Sequence, residues 1–385
     1  MPIRWRDAMD RALYGPGGFF VSGSGPADHF RTSVHASPAF ATALLRVVEQ
    51  VDAALGHPDR FDVVDVGAGR GELLRALLGL AAGSGAGSGS GVSGAAARPA
   101  PSADSPQGLH PPLAERLRLT AVEVAPRPGG LPDEIYWVDQ IPPGITGLLL
   151  ATEWLDNVPM DIAVHGSDGW RYLLVDPTSG AETVGDPVGP EDAEWLATWW
   201  PISGGGVADD VGLLPGPVTD GSGGPESRTT IGMRAEIGRT RDEAWAGAVA
   251  KLDRGLALAV DYGHLQAERP LDGTLTGYRG GRQVARVPDG SCDVTAHVAM
   301  DSVASAGERV ARRAYSMSFQ REALRALGAD GGRPPLTLAA TDPAGYVRAL
   351  AAASTVAELT DPAGLGGHRW LWQPVDMAFD PGVAR

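Results

Sequence analysis

Apolar runs of strand length recur along the chain, separated by segments with helical spacing. FDVVDV (61–66) is followed, after a short turn, by Leu73, Leu74, Leu77 and Leu78 at helical intervals. LRLTAVEVA (117–125) alternates as a strand does, and IYWVDQIP (135–142), GITGLLLATEWLDNVP (144–159) and GLALAVDYG (255–263) extend the series. MRAEIGRTRDEAWAGAVAKLD (233–253) carries a helical pattern just ahead of the last run. Buried runs joined by crossovers predict a parallel-rich, doubly wound α/β sheet.

Two stretches break the rhythm. Ala81 to Pro112 is a Gly/Ser/Ala/Pro segment of low complexity, with the composition of a flexible linker. Met160 to Ser227 holds a hairpin pattern (DIAVHGSDGWRYLLV), a Trp-rich helix (EDAEWLATWW) and a glycine-rich loop (VTDGSGGPES). This second stretch reads as an α+β insertion over the ligand edge of the sheet. The expected division is a helical lid over 1–50, a cofactor-binding core over 51–160 with a disordered insert at 81–112, a cap over 161–230, and the rest of the sheet over 231–385. The cluster of Trp195, Trp199 and Trp200 reads as core packing.

Composition narrows the partners. A net charge of −15 and a pI near 4.9 argue against nucleic acid, which needs clustered Lys and Arg, and against an anionic membrane surface. No apolar run reaches the length of a membrane span, and MPIRWRDAMDRAL is no signal peptide. The single cysteine, Cys292, excludes an internal disulfide and suits a reducing, cytoplasmic setting. No basic neighbour in sequence would activate it, so it reads as inert. Metal-ligand spacings such as HExxH or paired Cys and His are absent.

The chemistry gathers at Gly67-Ala68-Gly69-Arg70-Gly71, where a strand gives way to a helix. Glycines let the backbone approach a ligand, and a helix start offers free N–H groups. The spacing is G-x-G-x-G, not the G-x-G-x-x-G of a dinucleotide site. Asp65, two residues earlier, would repel a pyrophosphate but suits a cationic tail. S-adenosylmethionine has such a tail, an ammonium and a sulfonium with no phosphate. An acid at the end of the second strand, about 20 residues after the glycines, accepts from ribose hydroxyls in such sites. Glu123 is that residue once the low-complexity insert is left out of the count. Asp139, after the third strand, is placed to meet an adenine amine.

Five motifs in order give the chain a resemblance to the MidA-like S-adenosylmethionine-dependent methyltransferases, over residues 1 to about 330. WRDAMDRALYGPGGFF (5–20) is similar to the family's Y-M-x-x-A-L-Y-x-P-x-x-G-Y-Y. His29-Phe30-Arg31-Thr32-Ser33 follows its G-D-F-x-T-S, with histidine for aspartate. Thr152-Glu153-Trp154-Leu155-Asp156-Asn157-Val158-Pro159 resembles N-E-F-F-D-A-L-P, Val260-Asp261-Tyr262-Gly263 resembles I-D-Y-G, and DVTAHVAM (293–300) resembles D-L-T-A-H-V-D-F. The resemblance implies a Rossmann-like class I methyltransferase sheet, S-adenosylmethionine as cofactor, and Thr32 and Ser33 at the cofactor. Mitochondrial members are arginine methyltransferases that assist assembly of respiratory complex I, which implies a protein substrate; a homodimer is in keeping with it.

Within TEWLDNVP, Glu153 and Asp156 follow a buried strand, where ligands sit in open α/β sheets. Three residues apart on an opening helix, the two carboxylates could face one way and clamp a guanidinium by charge-assisted hydrogen bonds. Either could take the proton released on methyl transfer. Asp156 as a helix cap and Glu153 as a cofactor contact is the plainer alternative. Asp261, Tyr262, Asp293 and His297 are further candidates for the same edge, each with a structural role open to it. Two other functions stand beside the methyltransferase: a nicotinamide-dependent oxidoreductase, which Asp65 and the glycine spacing disfavour, and a non-catalytic assembly factor, which His29 and Thr152 favour.

Overall fold

The computed structural model describes residues 1–21, 32–85, 110–202, 232–329 and 331–382. His29, the loop 218–227 and residues 86–109 of the low-complexity segment lie outside the described residues.

Seven strands form the main sheet: β1 (Phe61–Val66), β2 (Leu117–Val122), β3 (Ile135–Val138), β4 (Ile145–Thr152), β5 (Leu252–Asp261), β6 (Ser316–Phe319) and β7 (Arg369–Val375). Their order is β6-β7-β5-β4-β1-β2-β3. β3, β2, β1, β4 and β5 run parallel, while β7 is antiparallel to both β5 and β6. This is the doubly wound α/β sheet that the apolar runs predict.

Alternation along each strand sends side chains to two cores. Val63, Leu148, Leu150 and Leu258 point to one, packed by helices α2 (Pro38–Ala54) and α3 (Glu72–Gly85). Val64, Leu149, Ala151 and Ala257 point to the other, covered by α5 (Arg239–Val249) and α6 (Met300–Ala311). Both faces are therefore buried, which explains continuous apolar runs in place of alternation. Helix α3 continues to Gly85, past the expected linker boundary at Ala81, because Ala81 is buried in the same core.

A second sheet of five strands stands over the carboxyl edge of the first. Asp161–Gly166 and Gly169–Val175 form the hairpin read from the sequence, and Glu182–Pro187 adds to it. The Trp-rich segment forms helix α4 (Pro190–Trp199). Ile3–Arg4 pairs with Leu174–Val175, and α1 (Trp5–Tyr14) buries Trp5, Met9 and Leu13 in the cluster around Met160, Ile162 and Val175. The first fifty residues thus divide between this sheet and, through α2, the main core. Arg234–Ile237 is a strand, not the start of the expected helix; it pairs with Asp161–Val164. Three of its four residues are buried, so no alternation marks it in the sequence.

Candidate active site

The order of the main sheet reverses between β1 and β4, the position where open α/β sheets bind ligands beyond the strands' carboxyl ends. Val66 of β1 pairs with Ala151 of β4, so the glycine turn and the TEWLDNVP loop leave the sheet side by side. A cavity of about 930 Å³ opens there.

Gly67, Gly69 and Gly71 all hold φ between +59° and +77°, which L side chains rarely adopt. A Cβ on Gly71 would also stand 2.8 Å from Leu131 Cδ1. Glu123 closes the turn: one carboxylate oxygen accepts from Gly69 N at 3.1 Å and the other from Val124 N at 2.8 Å and Ala125 N at 3.2 Å. It also lines the cavity, and an ionised carboxylate has lone pairs left for a hydroxyl.

Of the residues singled out in the sequence, the structure brings Thr32, Gly67, Glu123, Asp139, Glu153, Asp156, Tyr262, Asp293 and His297 to this cavity. Asp65, Ala68, Gly69, Gly71 and Ser33 lie outside its lining. Asp65 is deeply placed: a residue of β1 with both faces of the strand covered, it is buried behind the turn with Oδ1 unpartnered. Burial first, then Glu123 and Glu72, pushes its carboxyl up to about 8. Ser33 still takes part, donating its backbone N–H to Glu153 Oε1 at 2.9 Å.

Glu153 and Asp156 do not share an opening α-helix. Glu153 has φ +51°, and only a single 3-10 turn, Leu155–Asn157, follows. Asp261, at the end of β5, shapes this turn by accepting from Leu155 N at 3.0 Å and Asp156 N at 3.3 Å. Asp156 Oδ2 receives the Tyr262 hydroxyl, and the Thr295 hydroxyl at 2.7 Å, while its buried Oδ1 has no partner. Asp293 accepts from Asn157 Nδ2 at 2.7 Å. His297 and His368 line the same wall, their rings 5.1 and 5.5 Å from that of Tyr262.

Negative charge accumulates here. Burial, then Asp156 and Glu153, holds the Asp261 carboxyl well above its usual range, and burial with Asp156 does the same to Asp293. Glu153 is pushed up to about 7, mainly by burial and also by Asp156, against the Ser33 hydrogen bond. The buried cation nearest these groups, Arg241, donates to the carbonyls of Asp156, Val158, Ala296 and His297. It staples the loop after β4 to the loop before α6. A cavity lined by Glu123, Asp139, Glu153, Asp156 and Asp293 suits a cationic ligand. The glycine turn, Glu123 and Asp139 suit an adenosine group, so the residues present fit S-adenosylmethionine.

Arg241 and His368 escaped the sequence reading. Arg241 did carry a signal, since it shares a helical stripe with Trp245, Ala248 and Val249. His368 carried none. Cys292 is buried, and its thiol is held up by burial, Asp289 and Asp293, as an inert thiol should be. Among the described residues no cluster resembles a metal site, and no helix is long and apolar enough to cross a membrane.

Residues 109–317, more than half of the chain, match the model of a family described as "Putative S-adenosyl-L-methionine-dependent methyltransferase". That range includes Glu123, the loop after β4, Tyr262 and Asp293–His297; the glycine turn lies upstream of it. A crystal structure from Burkholderia thailandensis, described as a "likely methyl transferase" bound to S-adenosyl-homocysteine, is 23% identical, with a TM-score of 0.70 over 100% of this chain and 91% of that one. An uncharacterised protein from the same organism is also 23% identical, with a TM-score of 0.68 over 100% and 90%. At this identity the likeness is one of fold. No curated protein matches the chain.

Proposed function

The chain belongs to this S-adenosyl-L-methionine-dependent methyltransferase family, and we propose that its methyl acceptor is a nitrogen of a protein side chain, arginine foremost. S-adenosylmethionine is the cofactor; when bound, it supplies an electrophilic methyl group on a sulfonium. Gly67, Glu123 and Asp139 would hold it, as the shape of the turn and the lining of the cavity support. The neighbour's S-adenosyl-homocysteine fits the same assignment.

The observation that carries the acceptor is that Glu153 and Asp156 line one cavity, with Asp156 Oδ2 fixed in place by Tyr262 and Thr295. A guanidinium would be drawn to these two carboxylates. Together they would orient one nitrogen and keep its lone pair free. Held near 7, Glu153 is suited to take the proton the nitrogen loses. The motif order supports a place in the MidA-like branch, and the acidic cavity supports a basic protein substrate.

The test has two stages. Calorimetric titration should show binding of S-adenosylmethionine and S-adenosyl-homocysteine and none of NAD. Methyl-labelled cofactor should then label arginine-containing peptides and not their lysine counterparts. Label on lysine, or transfer only to small molecules, would refute the arginine assignment.

A further inference from the structure

Trp154 stands between the two halves of the site. It follows Glu153 and precedes Asp156 by two residues, yet its indole packs toward the cofactor turn. A Cβ on Gly67 would lie 3.0 Å from Trp154 Cδ1 and 3.3 Å from its Cβ. The side chain is half-buried and lines the cavity together with Gly67, Glu153 and Asp156. A large aromatic group therefore forms the wall where the glycine turn meets the acceptor carboxylates. A sulfonium whose methyl is to reach a nitrogen held by those carboxylates must sit at this junction.

We propose that Trp154 is the residue that tells the charged cofactor from its neutral product, its indole attracting the sulfonium and having no such hold on the thioether that remains after transfer. The inference rests on S-adenosylmethionine as the cofactor. It assigns Trp154 a positioning role that also favours product release, since one wall draws the sulfonium in and lets the thioether go. Glu153 and Asp156 line the same cavity and also attract a cation, so substitutions at Trp154, which leave both carboxylates in place, isolate the share of the ring.

Calorimetric titrations of the unsubstituted protein, Trp154→Leu and Trp154→Phe with S-adenosylmethionine and S-adenosyl-homocysteine test it. The leucine variant should bind S-adenosylmethionine about tenfold more weakly and S-adenosyl-homocysteine within about threefold of the unsubstituted protein. The phenylalanine variant keeps a ring face and should restore most of the difference. Equal weakening of both ligands by leucine would place the indole on the part they share and overturn the proposal, as would no weakening of either. A phenylalanine variant as poor as leucine toward S-adenosylmethionine alone would also overturn it, since size, not ring charge, would then decide. Failure of the unsubstituted protein to bind either ligand would overturn the cofactor assignment itself, and the proposal with it.

Discussion

Replacing Glu153 by Gln should make the protein more stable and a worse catalyst. The amide is the same shape and its oxygen can keep the hydrogen bond from Ser33 N. What it loses is charge in a crowded place. The Glu153 carboxyl titrates at about 7 in the folded chain against an ordinary 4.5. A raised folded value means that its contribution to stability is fully present below pH 4.5 and is lost as pH rises through 7. At about 1.4 kcal/mol per pKa unit, the ionised carboxylate costs folding on the order of 3 kcal/mol above pH 8 and about 1 kcal/mol or less at pH 5. Urea unfolding of both proteins at the two pH values measures the difference. The Gln variant should gain most of that energy at pH 8.5 and little at pH 5, while methyl transfer falls. Equal stability at pH 8.5, or an equal gain at both pH values, would refute the reasoning.

Arg241→Met should destabilise the fold by about 3–5 kcal/mol by removing the buried donor that ties together the carbonyls of Asp156, Val158, Ala296 and His297; Arg241→Lys should recover only part of this, and a loss under about 1 kcal/mol in chemical denaturation would show that the staple is dispensable. Glu123→Ala should weaken S-adenosylmethionine binding by about 1–3 kcal/mol in calorimetry, and unchanged affinity would remove Glu123 from the site. Gly71→Ala combines a φ of +77° with an overlap on Leu131, so it should cost about 1–3 kcal/mol in unfolding experiments. An unaltered midpoint would mean the turn adopts another conformation.

The sequence showed most where chemistry and geometry coincide in few residues. The glycine turn, β1 and the helix after it were legible because strand period, turn residues and helix period change within ten positions. Glu123 was found only by treating the low-complexity segment as an interruption. The depth of Asp65 was not legible, because a carboxylate near a glycine turn reads the same whether it stands open or is covered by the sheet's two faces. The members of the acidic wall were named from their motifs, but its wiring was not legible, since Asp156, Tyr262, Asp293 and Thr295 meet only through tertiary packing. Arg234–Ile237 failed for a different reason: four residues pairing with Asp161–Val164 have too little length for a period to declare itself.

The position of β7 has a consequence for how the protein is made. It is the last of the seven strands to leave the ribosome, yet it lies inside the sheet, hydrogen-bonded to β5 along seven residues and to β6 along four. Until it emerges, β5 has an open apolar flank and β6 has no partner. The wall carrying Leu365 and His368 is missing for the same interval. A nascent chain stalled short of residue 369 is therefore a sticky intermediate with half a cavity. Cells that make this protein should need a holding chaperone through that window, and fragments ending before β7 should aggregate instead of surviving as small enzymes.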